Sequence, residues 1–266
     1  MNECHVAHSF LQPQAFVDDR APQRQAPAVG YVAIGFRQPV PRRGDFSPEP
    51  QSNSAEVNPD MKIAVFGATG GVGRQVVEQA LDASHAVTAL ARNPQKLGLT
   101  HAHLAVVTGD VLDAAKVEET LQGTDVVVVS LGNTSPNPDY IVSQGTQVIV
   151  AAMKRLEQPR RIVVVSSIGV GDSKDQVPFA FKLLMMSVLR KPMEDKERQE
   201  ALVKASDLDW TIVRPGGLTD GPATGVYQVG TDGKVQAGQI ARADVAAFVL
   251  KQLDDDTYVR QTPAIS

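Results

Sequence analysis

The sequence has a single cysteine, Cys4, so the chain cannot form an internal disulfide. Only five histidines occur, and His85, His101 and His103 do not stand among other ligands at the spacing of a metal cluster. We therefore expect neither a disulfide scaffold nor a metal site. So few cysteines are typical of the cytoplasm, where we expect the protein to act.

An excess of charge and long apolar runs are also missing. The 26 Lys and Arg residues nearly balance the 30 Asp and Glu residues. The resulting net charge of -4 gives no sign of the basic surface that binds nucleic acid. Apolar runs such as DVVVVSLG at 125–132 and RIVVVSSIGV at 161–170 are far shorter than the roughly 18 residues that span a bilayer. These absences exclude nucleic acid and membrane as partners and favour a small molecule.

Residues 1–60 differ in composition from the rest of the chain. They contain eight of the seventeen prolines and no sustained helical or strand periodicity, which predicts a disordered N-terminal extension. An apolar patch at 29–36, VGYVAIGF, is either a docking strand or a chance run. The segment resembles neither a secretory signal nor a transit peptide. Translation beginning at Met61 is a further hypothesis, and we expect residues 1–60 to be dispensable for chemistry.

From Met61 onward, short Val/Ile-rich runs alternate with amphipathic stretches. Near-continuous apolar strands covered by amphipathic helices predict a Rossmann-type, doubly wound parallel α/β sheet in a single domain, residues 61–266. The predicted strands lie at 62–66, 86–90, 104–108, 125–130, 161–166 and 210–214. The predicted helix faces are Val72, Val76, Val77, Ala80 and Leu81; Thr146, Ile149, Val150 and Met153; and Val245, Phe248, Val249 and Leu253.

The first predicted strand leads into a glycine-rich turn, KIAVFGATGGVGRQVVEQAL. Gly67, Gly70 and Gly73 have the spacing that permits a tight turn, a close approach of backbone N–H groups to a pyrophosphate, and close helix–strand packing. The turn therefore predicts dinucleotide binding; the alternative is a turn that binds nothing. The candidate residues of this loop are Gly67, Thr69, Gly70, Gly71, Val72 and Gly73.

The end of the second predicted strand indicates which dinucleotide is preferred. NAD-selective sites usually place a carboxylate there, whereas an arginine can pair with a 2′-phosphate. This chain has Arg92 at that position, and Arg74 is a possible second cation. The cofactor is therefore predicted to be NADP(H), unless Arg92 is an ordinary surface charge.

Several motifs together resemble the atypical short-chain dehydrogenase/reductase group across residues 61–266. They include FGATGGVG at 66–73, GDVLD at 109–113, VVVSSIG at 163–169 and LDWTIVRPGGLTDGP at 208–222. Within the group, the chain is similar to the flavin reductase/biliverdin-IX-beta reductase branch, and the NmrA-like NADP-sensing proteins are further relatives.

The resemblance implies further cofactor contacts at the carboxyl ends of strands. Asp110 and Val111 would flank the adenine, and Leu131 and Gly132 would line the cofactor. Ser166 and Ser167 would lie beneath the nicotinamide, and Pro215, Gly216 and Leu218 would contact its carboxamide end. Alternatively, Asp110 caps the following helix, and the two serines only satisfy backbone groups.

The wider dehydrogenase family uses a tyrosine four residues before a lysine as its proton donor. Here Lys196 is preceded four residues earlier by Pro192, and no tyrosine has a lysine at that spacing. Without that acid, hydride transfer to a conjugated acceptor is favoured: a flavin, a quinone or a linear tetrapyrrole. Ser167, which the resemblance places at an active-site serine, is our candidate catalytic residue.

A helical segment at 177–190 is the last candidate element. It carries Phe181, Leu184, Met185 and Val188 on one face, either to hold a flat acceptor or to pack on the sheet. Lys182 and Lys196 either attract an acidic substrate or are solvated. An NADPH-dependent reductase is the leading prediction, with a non-catalytic NADP(H)-sensing protein or a scaffold as alternatives. Oligomeric state is left open.

Overall fold

The computed structural model describes residues 61–133, 139–178 and 189–266. The predicted N-terminal extension lies outside these residues. So do the apolar patch at 29–36 and the face formed by Phe181, Leu184, Met185 and Val188.

The described residues contain ten strands and five α-helices, joined by loops. Three short 3-10 helices lie at Pro94–Lys96, Gly171–Gln176 and Asp256–Tyr258. The strands are β1 Lys62–Phe66, β2 Ala86–Ala91, β3 Leu104–Thr108, β4 Val126–Val129, β5 Arg161–Val165, β6 Asp209–Pro215, β7 Gly217–Thr219, β8 Val229–Gly230, β9 Gln239–Ala241 and β10 Ala264–Ile265. The helices are α1 Gly71–Asp82, α2 Ala114–Leu121, α3 Ile141–Leu156, α4 Arg190–Lys204 and α5 Arg242–Lys251.

The main sheet has eight strands in the order β3-β2-β1-β4-β5-β6-β10-β8. All neighbours pair in parallel except β8, which runs antiparallel to β10. The chain builds outward from β1 to β3 and then returns to β4 on the other side of β1. This reversal creates a crevice at the carboxyl ends of β1 and β4, where ligands bind in open α/β sheets.

Both faces of the sheet are covered, which is why its strands read as unbroken apolar runs. Ile63 and Val65 of β1 pack in a cluster with α1 and α5, while Ala64 and Phe66 pack on the opposite side with α2 and α3. The helix faces predicted for α1 and α5 are fully buried, and in α3 only Val150 is partly exposed. The doubly wound parallel fold is confirmed.

The C-terminal part of the sheet departs from the sequence prediction. Strands β7 to β10 have only two or three residues each, and none was predicted. β10 pairs with β6 at Arg214 and Pro215, and β7 pairs with β9 in a separate two-stranded sheet. Segments this short have no periodicity to detect. They are strands only through their partners: β10 pairs with β6, β8 pairs with β10, and β7 pairs with β9.

Candidate functional site

The glycine turn between β1 and α1 is shaped by contacts that leave no room for side chains. Gly67 has a φ of +90°, and a Cβ there would overlap the carbonyl oxygen of Ser130 at the end of β4. A Cβ at Gly73 would overlap the carbonyl oxygen of Gly67. Glycine at these two positions lets α1 pack against the turn and brings β1 close to β4. The turn therefore lies at the crevice where the strand order reverses.

The N-terminus of α1 opens at this turn. Gly70 is the N-cap residue and makes no side-chain cap, and the first turn of the helix contains no acidic residue. Uncapped N–H groups and the helix dipole attract an anion. Thr69, Gly70 and Gly71 are exposed, whereas Val72 is buried in the core, so Val72 can offer a ligand only its backbone. These features suit the diphosphate of a dinucleotide.

The two predicted cations lie on either side of the turn. Arg92 is exposed and follows β2 directly, at the same edge of the sheet as Gly67. Arg74 is also exposed, but its Nε lies 2.9 Å from Oε1 of Glu78 along α1. Arg92 thus lies at the carboxyl end of β2, the strand that pairs with β1.

The residues predicted to flank the adenine, Asp110 and Val111, lie in the connection from β3 to α2. Asp110 accepts a hydrogen bond from the Leu112 N–H (2.9 Å), and α2 is capped by Asp113, so Asp110 is not the cap. A Cβ at Gly145 of α3 would lie 2.7 Å from Val111 and 3.1 Å from Leu131. The structure thus brings Val111 and Leu131 together over α3.

Gly132 differs from the glycines of the turn. No heavy atom of the described residues lies within 4 Å of the position that its Cβ would take. Its lack of a side chain is therefore not explained by close packing.

The serines after β5 have different surroundings. Ser166 is buried, and its hydroxyl donates to Oε1 of Glu200 (2.7 Å). Ser167 is partly exposed, and its hydroxyl donates to the Ile168 carbonyl (3.0 Å). Pro215 is buried in β6, and its carbonyl accepts from the Ile168 N–H (2.9 Å). Of these three residues, Ser167 is the one whose side chain can reach a ligand.

A buried ionic cluster behind Ser166 was not anticipated from the sequence. Arg214 donates twice to Glu200, at 3.0 Å and 2.6 Å, and its Nη1 lies 2.6 Å from Oδ1 of Asp172. Burial raises the pKa of the Glu200 carboxyl, but Arg214, Ser166 and Lys204 outweigh it and hold that pKa below its usual value. The cluster joins α4 to β5 and β6 and so holds Ser166 in place.

Lys196 reaches the same end of β5 from α4. Its Nζ donates to the carbonyl of Val165 (3.1 Å), next to Ser166. Burial lowers the pKa of this ammonium to about 8 despite the nearby carboxylates of Glu200 and Asp195. The Lys196 ammonium therefore releases its proton more readily than an ordinary lysine does, and it lies beside the predicted nicotinamide position.

The tyrosines that the structure describes are engaged elsewhere. Tyr140 precedes α3 and lies under the guanidinium of Arg198, with 3.9 Å from Cζ to the ring centroid. Tyr227 and Tyr258 both pack against the ring of Phe248. Among the described residues, the Lys196 ammonium donates to the Val165 carbonyl rather than to a tyrosine. Within the same residues, no helix is long and apolar enough to cross a bilayer.

Comparisons with known proteins agree with this geometry. Residues 67–256 match the model of the NAD(P)H-binding family. ChuY, an anaerobillin reductase from Escherichia coli O157:H7, is 27% identical, with a TM-score of 0.66 over 77% of this chain and 96% of that one. The reductase pytE of Aspergillus terreus is 28% identical over 72% of this chain and 90% of its own length.

A further solved structure supports the fold alone. It is a short-chain dehydrogenase/reductase from Veillonella parvula in complex with NADP, 20% identical, with a TM-score of 0.65 over 77% of this chain and 94% of that one. The predicted NAD(P)H-binding fold is confirmed by these matches. The family model spans the glycine turn, all five helices and the strand ends that surround the turn, so the chain belongs to the NAD(P)H-binding family.

Proposed function

We propose that this protein is an NADPH-dependent reductase that transfers hydride to a conjugated acceptor: a flavin, a quinone or a linear tetrapyrrole. One observation carries the proposal. A dinucleotide turn opens onto strand ends where Ser167 is accessible, while none of the described tyrosines stands beside Lys196. An acceptor that delocalises the charge of the incoming hydride needs no strong acid at one atom, so positioning over the nicotinamide supplies most of the catalysis.

The cofactor would be held by residues with distinct tasks. The turn from Gly67 to Gly73 and the open end of α1 bind the diphosphate, and Arg92 pairs with the 2′-phosphate. NADPH, when bound, supplies the hydride. Loss of the 2′-phosphate contact in Arg92→Ala should therefore weaken NADPH binding about tenfold or more while leaving NADH binding nearly unchanged. An unchanged ratio of the two affinities would refute the assignment of Arg92.

Other predicted contacts remain part of the proposal. Asp110, Val111, Leu131 and Gly132 would line the adenine half of the cofactor. Ser166 and Pro215 would shape the wall near the nicotinamide without offering it a side-chain hydrogen bond, because Ser166 donates to Glu200. Ser167 would orient the acceptor, and Lys196 would supply positive charge at the end of β5.

The test is a turnover assay with a panel of acceptors. The purified full chain is mixed with NADPH, and FMN, biliverdin or a quinone is then added while the absorbance of NADPH is followed. We expect NADPH consumption with at least one acceptor and a slower rate with NADH. Similarity to an anaerobillin reductase and to the reductase pytE supports the general reaction class.

A non-catalytic NADP(H)-sensing protein is the alternative, favoured by the absence of a tyrosine beside Lys196 among the described residues. Tight NADPH binding without turnover across the acceptor panel would support it over the reductase. A cytoplasmic location is also proposed, supported by the scarcity of cysteine. Fractionation that recovers the native protein outside the cytoplasm would refute that location.

A further inference from the structure

Arg242, the first residue of α5, extends its side chain to the N-terminus of α1. A Cβ at Gly71 would lie 2.5 Å from both Cδ and Nε of Arg242 and 3.5 Å from its Cζ. Gly67 and Gly73 have no room for a side chain because backbone atoms approach them, but the space beside Gly71 is filled by this arginine. The guanidinium therefore lies against the helix end that we assign to the diphosphate.

The described partner of Arg242 is a carboxylate that water reaches freely. Nη1 of Arg242 lies 2.7 Å from Oδ1 of Asp220, whose side chain is 95% exposed, in the loop after β7. An ion pair with so exposed a partner is weak. A guanidinium can instead hold two oxygens of a phosphate in a planar fork, which is a stronger interaction.

The loop that carries Asp220 does not depend on this ion pair for its anchorage. Asp244, two residues after Arg242, is buried and accepts hydrogen bonds from the N–H groups of Thr224 (2.9 Å) and Gly225 (2.8 Å). The Thr224 hydroxyl donates to the same carboxylate (2.9 Å). Asp244 thus ties the loop to α5, and Arg242 can change partners while the loop stays attached.

We propose that Arg242 binds the diphosphate of the dinucleotide and that Asp220 competes with the diphosphate for it. This inference rests on the proposed function, since it requires a dinucleotide at the turn. On binding, Arg242 exchanges the exposed carboxylate of Asp220 for phosphate oxygens. Asp220 therefore lowers the affinity for dinucleotides, and Arg242 raises it.

The test measures the dissociation constants of two ligands with the wild type and two variants, Arg242→Gln and Asp220→Asn. NADPH contains the diphosphate, and adenosine 2′-monophosphate does not. We expect Arg242→Gln to weaken NADPH binding about tenfold and to leave adenosine 2′-monophosphate binding within about twofold, because only NADPH offers a diphosphate. Asp220→Asn should strengthen NADPH binding by about twofold or more, since it removes the competing charge.

Arg92→Ala is the matched control, because it should weaken both ligands through the 2′-phosphate that they share. Thermal unfolding of each variant checks that the fold is retained. If Arg242→Gln and Asp220→Asn weaken NADPH binding equally, the pair is only a structural link and the inference is wrong. It is also wrong if Arg242→Gln weakens both ligands alike. NADPH binding that is normal in Arg242→Gln overturns this inference alone, whereas a wild type that binds no NADPH overturns the proposed function with it.

Discussion

Gly67 and Gly132 follow β1 and β4, and Gly73 lies in the first turn of α1, but packing requires only two of these three glycines. Gly67 has a positive φ, and its missing Cβ allows contact with Ser130. Gly73 has no such backbone requirement; its missing Cβ allows contact with the Gly67 carbonyl. Around Gly132, the part of the chain that the structure describes leaves the Cβ position open. Substitution by alanine should therefore separate the roles of these positions.

The first prediction compares Gly73→Ala with Gly132→Ala. Gly73→Ala forces α1 away from the turn and should reduce the free energy of unfolding by about 1–3 kcal/mol, with at least a tenfold loss of NADPH affinity. Gly132→Ala should change stability by less than about 0.5 kcal/mol, because its Cβ would meet no atom of residues 61–133, 139–178 or 189–266. Urea denaturation and NADPH titration measure both effects. Equal destabilisation by the two substitutions would contradict the packing account.

Ser166 and Ser167 are adjacent in sequence but are predicted to differ in function. Ser166→Ala removes a buried hydrogen bond to the charged Glu200 and should cost about 1.5–3 kcal/mol of stability. Ser167→Ala removes a partly exposed hydroxyl, so it should hardly alter stability but should lower kcat several-fold with the best acceptor. Chemical denaturation and steady-state kinetics distinguish the two. A normal kcat in Ser167→Ala would remove this residue from the active site.

At the scale of the element, α3 is capped from outside its own segment. The residue before it, Tyr140, has a φ of 66° and supplies no side-chain cap. Instead, the buried carboxylate of Asp195 on α4 accepts from the N–H groups of Val142 (2.9 Å) and Ser143 (2.8 Å). A carboxylate of α4 thus satisfies N–H groups at the start of α3 that have no partner within α3. This cap fixes where α3 begins beside the cofactor crevice.

Replacing this cap should be costly. Asp195→Asn leaves a single acceptor oxygen and no charge, so we expect a loss of about 1–2 kcal/mol in the free energy of unfolding. Asp139→Asn is the control: Asp139 is exposed, lies just before the same helix and pairs with Lys191, so its loss should cost less than about 1 kcal/mol. The same cost for both variants would show that Asp195 is not the cap.

At the scale of the whole molecule, polar groups join α4 to α3 and to the ends of β5 and β6. Asp195 holds α3, Lys196 holds the end of β5, and Glu200 holds Ser166 and Arg214. Such a buried network is stable only when each charge keeps its partner, which makes the fold sensitive to pH at these positions.

The pH prediction concerns Lys196, whose pKa in the folded protein is lowered to about 8 from an ordinary 10.5. Between these values the unfolded chain keeps the proton and the folded chain has released it, so stability rises with pH. Relative to Lys196→Met, the free energy of unfolding of the wild type should therefore rise by about 3 kcal/mol across this window and should not change with pH below it. Lys196→Arg, which stays charged in both states, should lack this gain. A difference from Lys196→Met that is independent of pH would contradict the lowered pKa.

Much of the fold followed from sequence patterns because each strand of the centre is buried on both faces. A run of valines such as β4 is stable only as a strand buried on both faces of the sheet. The buried faces of α1 and α5 follow the 3.6-residue period of a helix. Glycine spacing predicted the turn for the same local reason. The roles of Arg242 and Asp195 could not be predicted in this way, because each depends on a contact with a distant segment: Asp195 contacts Ser143, 52 residues away, and Arg242 contacts Gly71 near the start of α1.

The sequence by itself determined the class of sheet, the position of the glycine turn and the absence of a tyrosine four residues before Lys196. These properties depend on residues that are close together in the sequence, so they can be recognised without knowing how distant segments pack. Only the tertiary structure decided that Ser166 faces Glu200 while Ser167 stays accessible, and that Arg242 reaches Gly71. Those outcomes depend on how α4 and α5 pack on the sheet, and packing is set by the whole chain rather than by any one segment of it.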